Sequence, residues 1–430
     1  MTEEDQCFYL TPEQLKVGLY IHIDLPWFSH PFSFNAFKIR SPEQIRELRA
    51  LPVKRFRYDP DRSEASALPA VKLTVEEASE PPAHPEPQAD DPSLAAKRER
   101  MALLKERRQR VSEVERAFLK ATSIMREVNR NLFAKPAHCL EEVGALVGQM
   151  VDVFLNQPEL TLHVMGDKVG GDEAYYHGLN TAILCMMLAK DLGFSRDQGR
   201  ILGLGALFHD LGQADIPDRV WRKSEGLTQA EDNLRRLHCE YGVRLGKQIN
   251  LPAPVLNVIA QHHEMMDGSG YPAGLRGEVI DPLARVVALV NHYDNLCNPV
   301  DSLKALTPHE ALSLIYAQRR ARFDAQVLQL LVRRLGVYPP GTIVKLSNDA
   351  LGLVSSVNER KPLRPWVLLY DPAVPKDEAI MVDLEREVDI NIAKALRPAQ
   401  LPPQVHEYLS PRRRVTYYFD AESSGNGARS

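Results

Sequence analysis

The dipeptide His209-Asp210 ends the apolar run from Ile201 to Phe208 and sets an imidazole beside a carboxylate. Such a pair grips a divalent metal, and one carboxylate can bridge two of them. Two letters are weak evidence by themselves. They gain weight from His238, from the doublet His262-His263, and from Glu173 and His177, which a helix places one turn apart and aims at one spot. A single buried histidine is more often a satisfied core residue than a ligand. Five histidines with Glu173 and Asp210, drawn from four predicted helices, instead match the way helical bundles build metal centres from facing side chains. Imidazole and carboxylate without cysteine suit iron, manganese, zinc or nickel and do not choose among them. Two or three such ions, about 3.5–4 Å apart, generate a hydroxide nucleophile and clamp a phosphoryl group.

A second stretch, Gln261 to Leu275, surrounds the doublet. Gly268 and Gly270 let the backbone turn tightly and approach a ligand, while Tyr271 and Pro272 stiffen the loop. The plain alternative is a glycine-rich turn between helices, and the adjacent histidines argue against it.

The elements that must position these residues are mostly helical. Between 136 and 338, helices are predicted over Glu141 to Leu155, Ala174 to Leu192, Gln198 to Leu207, Gln229 to Ile249, Pro254 to Glu264, Leu283 to Leu296 and Pro308 to Leu335, with breaks at Gly193, Gly226 and Pro252. Residues 1–60 read as a small strand-rich domain with a helix near Ser41 to Leu51, Ser41 capping and Pro42 opening it. Its aromatics Trp27, Phe28, Phe32, Phe34 and Phe37 are expected as core rather than as a ligand cradle. Residues 61–94, rich in proline and acidic side chains, read as a flexible linker. A long connecting helix is predicted over 95–135, and its basic runs, interspersed with glutamate, as a solvated face. Short strands around Gly341 to Leu346 and Trp366 to Tyr370 predict a small β appendage in 339–430, with a frayed end from Glu422. The fold expected is therefore mainly α, with a β-containing region at each end.

Composition narrows the function classes. A net charge of -4 and a pI near 6.4 leave no electrostatic footprint for a nucleic-acid polymer. No run of eighteen apolar residues occurs and the start is acidic, so membrane insertion and a secretory signal are not expected and a cytoplasmic site is. Cysteines at 7, 139, 185, 239 and 297 lack any paired spacing and suit free thiols.

His209-Asp210 followed by His262-His263-Glu264-x-x-Asp267-Gly268-x-Gly270-Tyr271-Pro272 resembles the HD-GYP branch of the HD phosphohydrolase superfamily over roughly residues 140 to 340. The segment with Trp27, His30, Pro31 and Phe32 resembles the uncharacterised domain that often precedes it. The resemblance implies an HD-type bundle and hydrolysis of cyclic di-GMP to linear pGpG, in some members on to GMP. It implies metal ligation by His177, His209, Asp210, His238, His262 and His263, with Glu173 as the extra ligand of members holding three metals, usually iron. Asp210 is then the catalytic bridge, and Gly270 and Tyr271 shape the pocket floor against the nucleotide.

Three positions depart from the family pattern. Gln213 stands where a lysine usually meets a substrate phosphate, Asn291 where an aspartate usually binds metal, and Val300-Asp301-Ser302-Leu303 where an Arg-x-Tyr-Arg element is usual. Each removes charge, and a charge-assisted contact is worth about 1.5–3 kcal/mol. Lys304, His292 and Arg285 are the candidates to compensate. Two readings follow: a metal-dependent phosphodiesterase that uses Gln213 as a reduced phosphate contact, or a non-catalytic module that binds the nucleotide, or a diguanylate cyclase, through the Gly-Tyr-Pro surface. The long helix makes a homodimer an expectation under either.

Overall fold

A computed structural model describes residues 8–25, 30–32, 34–64, 116, 118–156, 160–164, 173–223, 225–301, 304–358, 360–372, 374–376, 379–409 and 417–421, with backbone alone for 156, 160–164, 173–175 and 417–421. The described residues divide into two compact units. One is built on an antiparallel sheet of β1 (Phe8–Leu10), β2 (Tyr20–His22), β3 (Ala36–Lys38) and β4 (Phe56–Asp59), in the order β1-β4-β2-β3. Helix α1 (Pro42–Arg49) starts as expected, with the Ser41 hydroxyl accepting from Gln44 N and Pro42 at the first position. Leu19, Ile21, Ile39, Leu48 and Phe56 form the core. Phe32, Phe34 and Phe37 are buried, with the Phe32 and Phe37 rings 4.8 Å apart, which makes them core. Trp27, Phe28, the linker from 65 on, residues 95–115 and the chain from Glu422 lie outside the described residues.

The other unit is the helical bundle. It runs through α2 (residues 118–131), α3 (Pro136–Asn156), α4 (Glu173–Ala189), α5 (Arg196–Phe208), α6 (Asp218–Trp221), α7 (Gln229–Arg236), α8 (His238–Gln248), α9 (Ala253–Gln261), α10 (Pro282–Cys297), α11 (Pro308–Gln318) and α12 (Ala325–Leu335). Thr181 through Ala189 are buried without interruption, so α4 is a central helix, apolar on every side. Around it pack Leu202 and Ala206 of α5, Val258 and Ile259 of α9, and Val286, Val287 and Val290 of α10. Each large side chain so buried contributes about 1.5–3 kcal/mol. Cys139, Cys185, Cys239 and Cys297 are free and buried, as their spacing suggested.

Two expected helices are each divided. Gln229 to Ile249 breaks at Leu237, whose N–H bonds Leu234 O three residues back and so tightens the turn before Tyr241 N bonds Leu237 O and restarts the spiral. Pro308 to Leu335 breaks at a short turn over Arg320–Arg322, and Asp324 caps the new helix by accepting from Gln326 N and Val327 N. Beyond it lies a seven-stranded sheet containing β6 (Ile343–Leu346), β7 (Leu351–Ser356), β8 (Trp366–Leu369), β9 (Met381–Asp383), β10 (Ile392–Leu396) and β11 (Tyr417–Ala421). Its seventh strand, β5 (Leu160–Val164), comes from before α4 and pairs with β7 and β11. Among the described residues no helix is long and apolar enough to cross a membrane.

Asp324 also accepts from Arg285 Nη1 at 3.3 Å, tying α12 to α10 where both sides are mostly buried. Asp324→Ala is expected to destabilise the bundle by about 1–3 kcal/mol. Asp324→Asn keeps the cap and is expected to recover part of that loss. Urea unfolding followed by helical circular dichroism checks both.

Candidate metal centre

His209 follows the last residue of α5, and Asp210 opens the short helical turn Leu211–Asp215. A β-carbon on Gly212 would stand 1.9 Å from His238 O and 2.4 Å from Gly242 N, so only glycine lets this turn lie against α8. That approach delivers Asp210 to His238. His262 follows the end of α9, His177 sits in the first half of α4, and their side chains converge from separate helices on one carboxylate.

Asp210 Oδ2 lies 3.3 Å from His209 Nε2 and 3.8 Å from His177 Nε2. Its other oxygen, Oδ1, lies 3.5 Å from His238 Nε2 and 3.7 Å from His262 Nε2. Ligand atoms of His177, His209 and Asp210 cluster on one side, and those of Asp210, His238, His262 and His263 on the other, within 4.8 Å in each set.

The ring nitrogens test whether this arrangement suits a metal. The second nitrogen of three histidines is committed to a backbone carbonyl: His209 Nδ1 to Ala206 O at 2.7 Å, His238 Nδ1 to Arg235 O at 2.7 Å, and His262 Nδ1 to Ile259 O at 2.8 Å. His177 Nδ1 donates to Asp294 Oδ2 at 2.6 Å. Donation from Nδ1 leaves a bare lone pair on Nε2 of each neutral ring. Yet Nε2 of His177 and His209 stand 3.2 Å apart, and Nε2 of His238 and His262 stand 3.1 Å apart. Two lone pairs so placed repel unless a cation lies between them. The donor set fits divalent metal ions.

Electrostatics agree. Burial pushes His262 down to about 4 and lowers His238 and His263, which keeps these rings neutral and able to donate. Burial pulls His177 the same way, but the Asp294 hydrogen bond and charge outweigh it and raise that group. Burial alone would raise Asp210. The imidazoles of His209, His262 and His238 outweigh that and hold its carboxyl well below the usual range.

Asp294 is the functional residue that the sequence reading missed. It is fully buried on α10, three residues after Asn291, and besides His177 it accepts from Asn180 Nδ2 and, at 2.9 Å, from Asn298 Nδ2. Its signal was the helical spacing from Asn291. Asn291 is buried within hydrogen-bonding reach of His177, and its Oδ1 accepts from Asn295 Nδ2 at 2.6 Å. Glu173 begins α4 one turn before His177 and is described by backbone only. Gln213 lies half-buried on the turn after Asp210.

The expected compensating charges are engaged elsewhere. Arg285 serves Ile280 O and Asp324, Lys304 pairs with Glu225 at 2.5 Å, and His292 accepts from Arg319 Nη1 at 2.7 Å.

The loop after His263 is built around Glu264. This buried carboxylate accepts from Ala273 N at 2.7 Å and Leu275 N at 2.8 Å, one oxygen for each. A β-carbon on Gly270 would meet Met265 N at 2.4 Å and His263 O at 2.5 Å, so the glycine is obligatory. The Tyr271 ring stacks on His263 with centroids 4.5 Å apart.

Known proteins share this architecture. The HD domain family matches residues 167–327, the domain of unknown function DUF3391 matches residues 10–143, and the KOW domain associated with HD domain matches residues 343–403. The cyclic di-GMP phosphodiesterase PA4108 of Pseudomonas aeruginosa is 29% identical over 402 residues, 90% of this chain and 91% of its own. The cyclic di-GMP phosphodiesterase response regulator RpfG of Xanthomonas campestris is 36% identical over 166 residues, 38% of this chain and 43% of its own. The solved structure of Bd1817, an HDG"Y"P protein from Bdellovibrio bacteriovorus, covers 76% of this chain and 98% of its own at 17% identity and a TM-score of 0.40. The chain carries an HD domain, with DUF3391 ahead of it and a KOW domain behind it.

Two outcomes follow for this centre. Asp294→Asn frees the His177 ring from its orienting carboxylate and is expected to weaken metal binding by about 10–100-fold, read by competition with a chromophoric chelator. In the metal-free protein His262 stays neutral down to about 4, whereas in the unfolded chain it takes up a proton near its ordinary 6.5. Its contribution to stability is therefore complete above about pH 6.5 and is lost as pH falls towards 4. Melting temperature of the metal-free protein against pH checks this: it is expected to fall as pH drops from about 6.5 towards 4.

Proposed function

We propose that the protein is a metal-dependent phosphodiesterase that opens cyclic di-GMP to linear pGpG, with GMP as a further product. The observation that carries this reading is Asp210, whose two oxygens face two separate sets of imidazoles. The alignment with the Pseudomonas aeruginosa phosphodiesterase over nine-tenths of both chains supports the same substrate.

In this proposal His177, His209 and Asp210 would hold one ion, and Asp210, His238, His262 and His263 would hold a second. Glu173 and Asn291 supply further donors, Glu173 towards a third ion, and iron is the metal. Bound ions supply Lewis acidity and a water whose pKa falls towards neutrality. The protein's own residues do the rest. Asp294 keeps the proton of His177 on Nδ1, so that Nε2 stays a donor to metal. Burial keeps His238, His262 and His263 unprotonated. Tyr271, packed on His263, and Gly270, which lets the loop close, form the substrate floor. Gln213 offers a phosphate oxygen an amide N–H in place of a cation. The Gly270-Tyr271-Pro272 loop, exposed at Pro272, is the surface offered to a diguanylate cyclase.

Elemental analysis of anaerobically purified protein, coupled to chromatographic detection of products, tests the reading. Stoichiometric iron or manganese and release of pGpG are expected, and Asp210→Asn is expected to reduce turnover by more than about a hundredfold. Metal-loaded protein that forms no linear dinucleotide defeats it. Gln213→Lys restores a charge-assisted contact and is expected to raise kcat/KM several-fold, since such a bond exceeds a neutral one by about 1 kcal/mol.

A further inference from the structure

Arg236 ends α7, two residues before His238. Its guanidinium lies over the Tyr271 ring, 4.9 Å from the centroid, and that same ring stacks on His263 at 4.5 Å. Arg236 gives only Nε to protein, donating to Asp232 Oδ2 at 2.8 Å. Among the described residues Nη1, Nη2 and the Tyr271 hydroxyl have no hydrogen-bond partner, and the arginine side chain is 47% exposed. The carboxylate thus orients the fork, and the phenol ring that supports it also stacks on His263, a candidate metal ligand. Other cations nearby are engaged: Arg235 donates Nη2 to Trp221 O, and Arg244 pairs with Asp215.

A cyclic dinucleotide is larger than the centre that cleaves it. A base that reached past Tyr271, with one phosphodiester among the imidazoles, would meet that fork. Guanine offers two acceptors, O6 and N7, at a spacing that the paired nitrogens of a guanidinium match, whereas adenine replaces O6 with an amino donor that opposes them. We propose that Arg236, held by Asp232 and Tyr271, is a specificity-determining residue that reads the O6/N7 edge of a guanine in the substrate. This rests on the cyclic di-GMP reading given above, and a contact to phosphate is the competing role for the same side chain.

The test uses the full-length, metal-loaded protein with Arg236→Gln and Arg236→Lys. Metal content by mass spectrometry first shows that each variant retains its centre. Arg236→Gln is expected to raise KM for cyclic di-GMP by about 5- to 150-fold with little change in kcat, the range that loss of a bidentate guanine contact spans. Its inhibition constant for cyclic di-AMP, measured as a competitor, is expected to stay within about twofold. Arg236→Lys, which lacks the fork, is expected to restore only part of the affinity. Equal weakening of both dinucleotides overturns the guanine contact in favour of phosphate, and an unchanged KM overturns any substrate contact. Wild-type protein that neither binds nor cleaves cyclic di-GMP defeats the underlying functional reading, and this inference with it.

Discussion

The constraint on which the rest depends is the crowding of unprotonated nitrogens around one carboxylate. His209, His238 and His262 each spend Nδ1 on a carbonyl in the turn just before them, at 2.7–2.8 Å. These bonds are local, each to the carbonyl three residues back, so every Nε2 is left as an acceptor facing Asp210. Bringing them together sets lone pair against lone pair at 3.1–3.2 Å. Such an arrangement is stable only if the surrounding helices hold it or a cation sits within it. The depressed Asp210 carboxyl belongs to the same balance: it is ionised among these rings, so its negative charge adds to the crowded lone pairs and a cation answers both.

Two close approaches and two buried carboxylates hold that geometry. Gly212 allows the turn bearing Asp210 to touch the backbone of α8, and Gly270 allows the loop after His263 to fold back on its own start. Neither position has space for a β-carbon. Glu264 spends both oxygens on loop N–H groups, which fixes the platform under Tyr271, while Asp294 fixes the ring of His177. A buried carboxylate without such partners carries a desolvation penalty of several kcal/mol. These two have partners for every oxygen, and the histidines they support are thereby held in one rotamer and one tautomer.

Much of this was legible in the sequence, for definable reasons. His209-Asp210, His238 and His262-His263 stand out by residue type, and helical periodicity brings them to the same region of a bundle. Ser41-Pro42 marks a helix start without tertiary help. What escaped was set by context. Leu237 is an ordinary helix former, and nothing local announces that its N–H bonds Leu234 rather than continuing one long helix. Asp324 did carry a capping signal, but the apolar pattern on both sides of it outweighed one polar residue. Leu160–Val164 alternates as a strand should, yet five residues pair only because β7 and β11 arrive from nearly two hundred or more positions later. Asp294 was hidden by its neighbour: attention to the ligand position at Asn291 passed over the carboxylate one turn further on.

The two sides of the centre are not equivalent, and the departure at Asn291 falls on one of them. On the side of Oδ1, three imidazoles are kept neutral by burial, and Tyr271 covers one of them. On the side of Oδ2, His177 leans on Asp294, and the family's second carboxylate is the amide of Asn291. A carboxylate behind an imidazole raises its basicity and so strengthens it as a donor. Asp294 therefore returns, through His177, part of the negative charge that Asn291 no longer supplies directly. Because Asp294 is itself satisfied by Asn180 and Asn298, that charge is anchored in the bundle rather than free to move onto the metal. On the Oδ2 side the negative charge thus sits behind the His177 ring rather than at the ligand position itself.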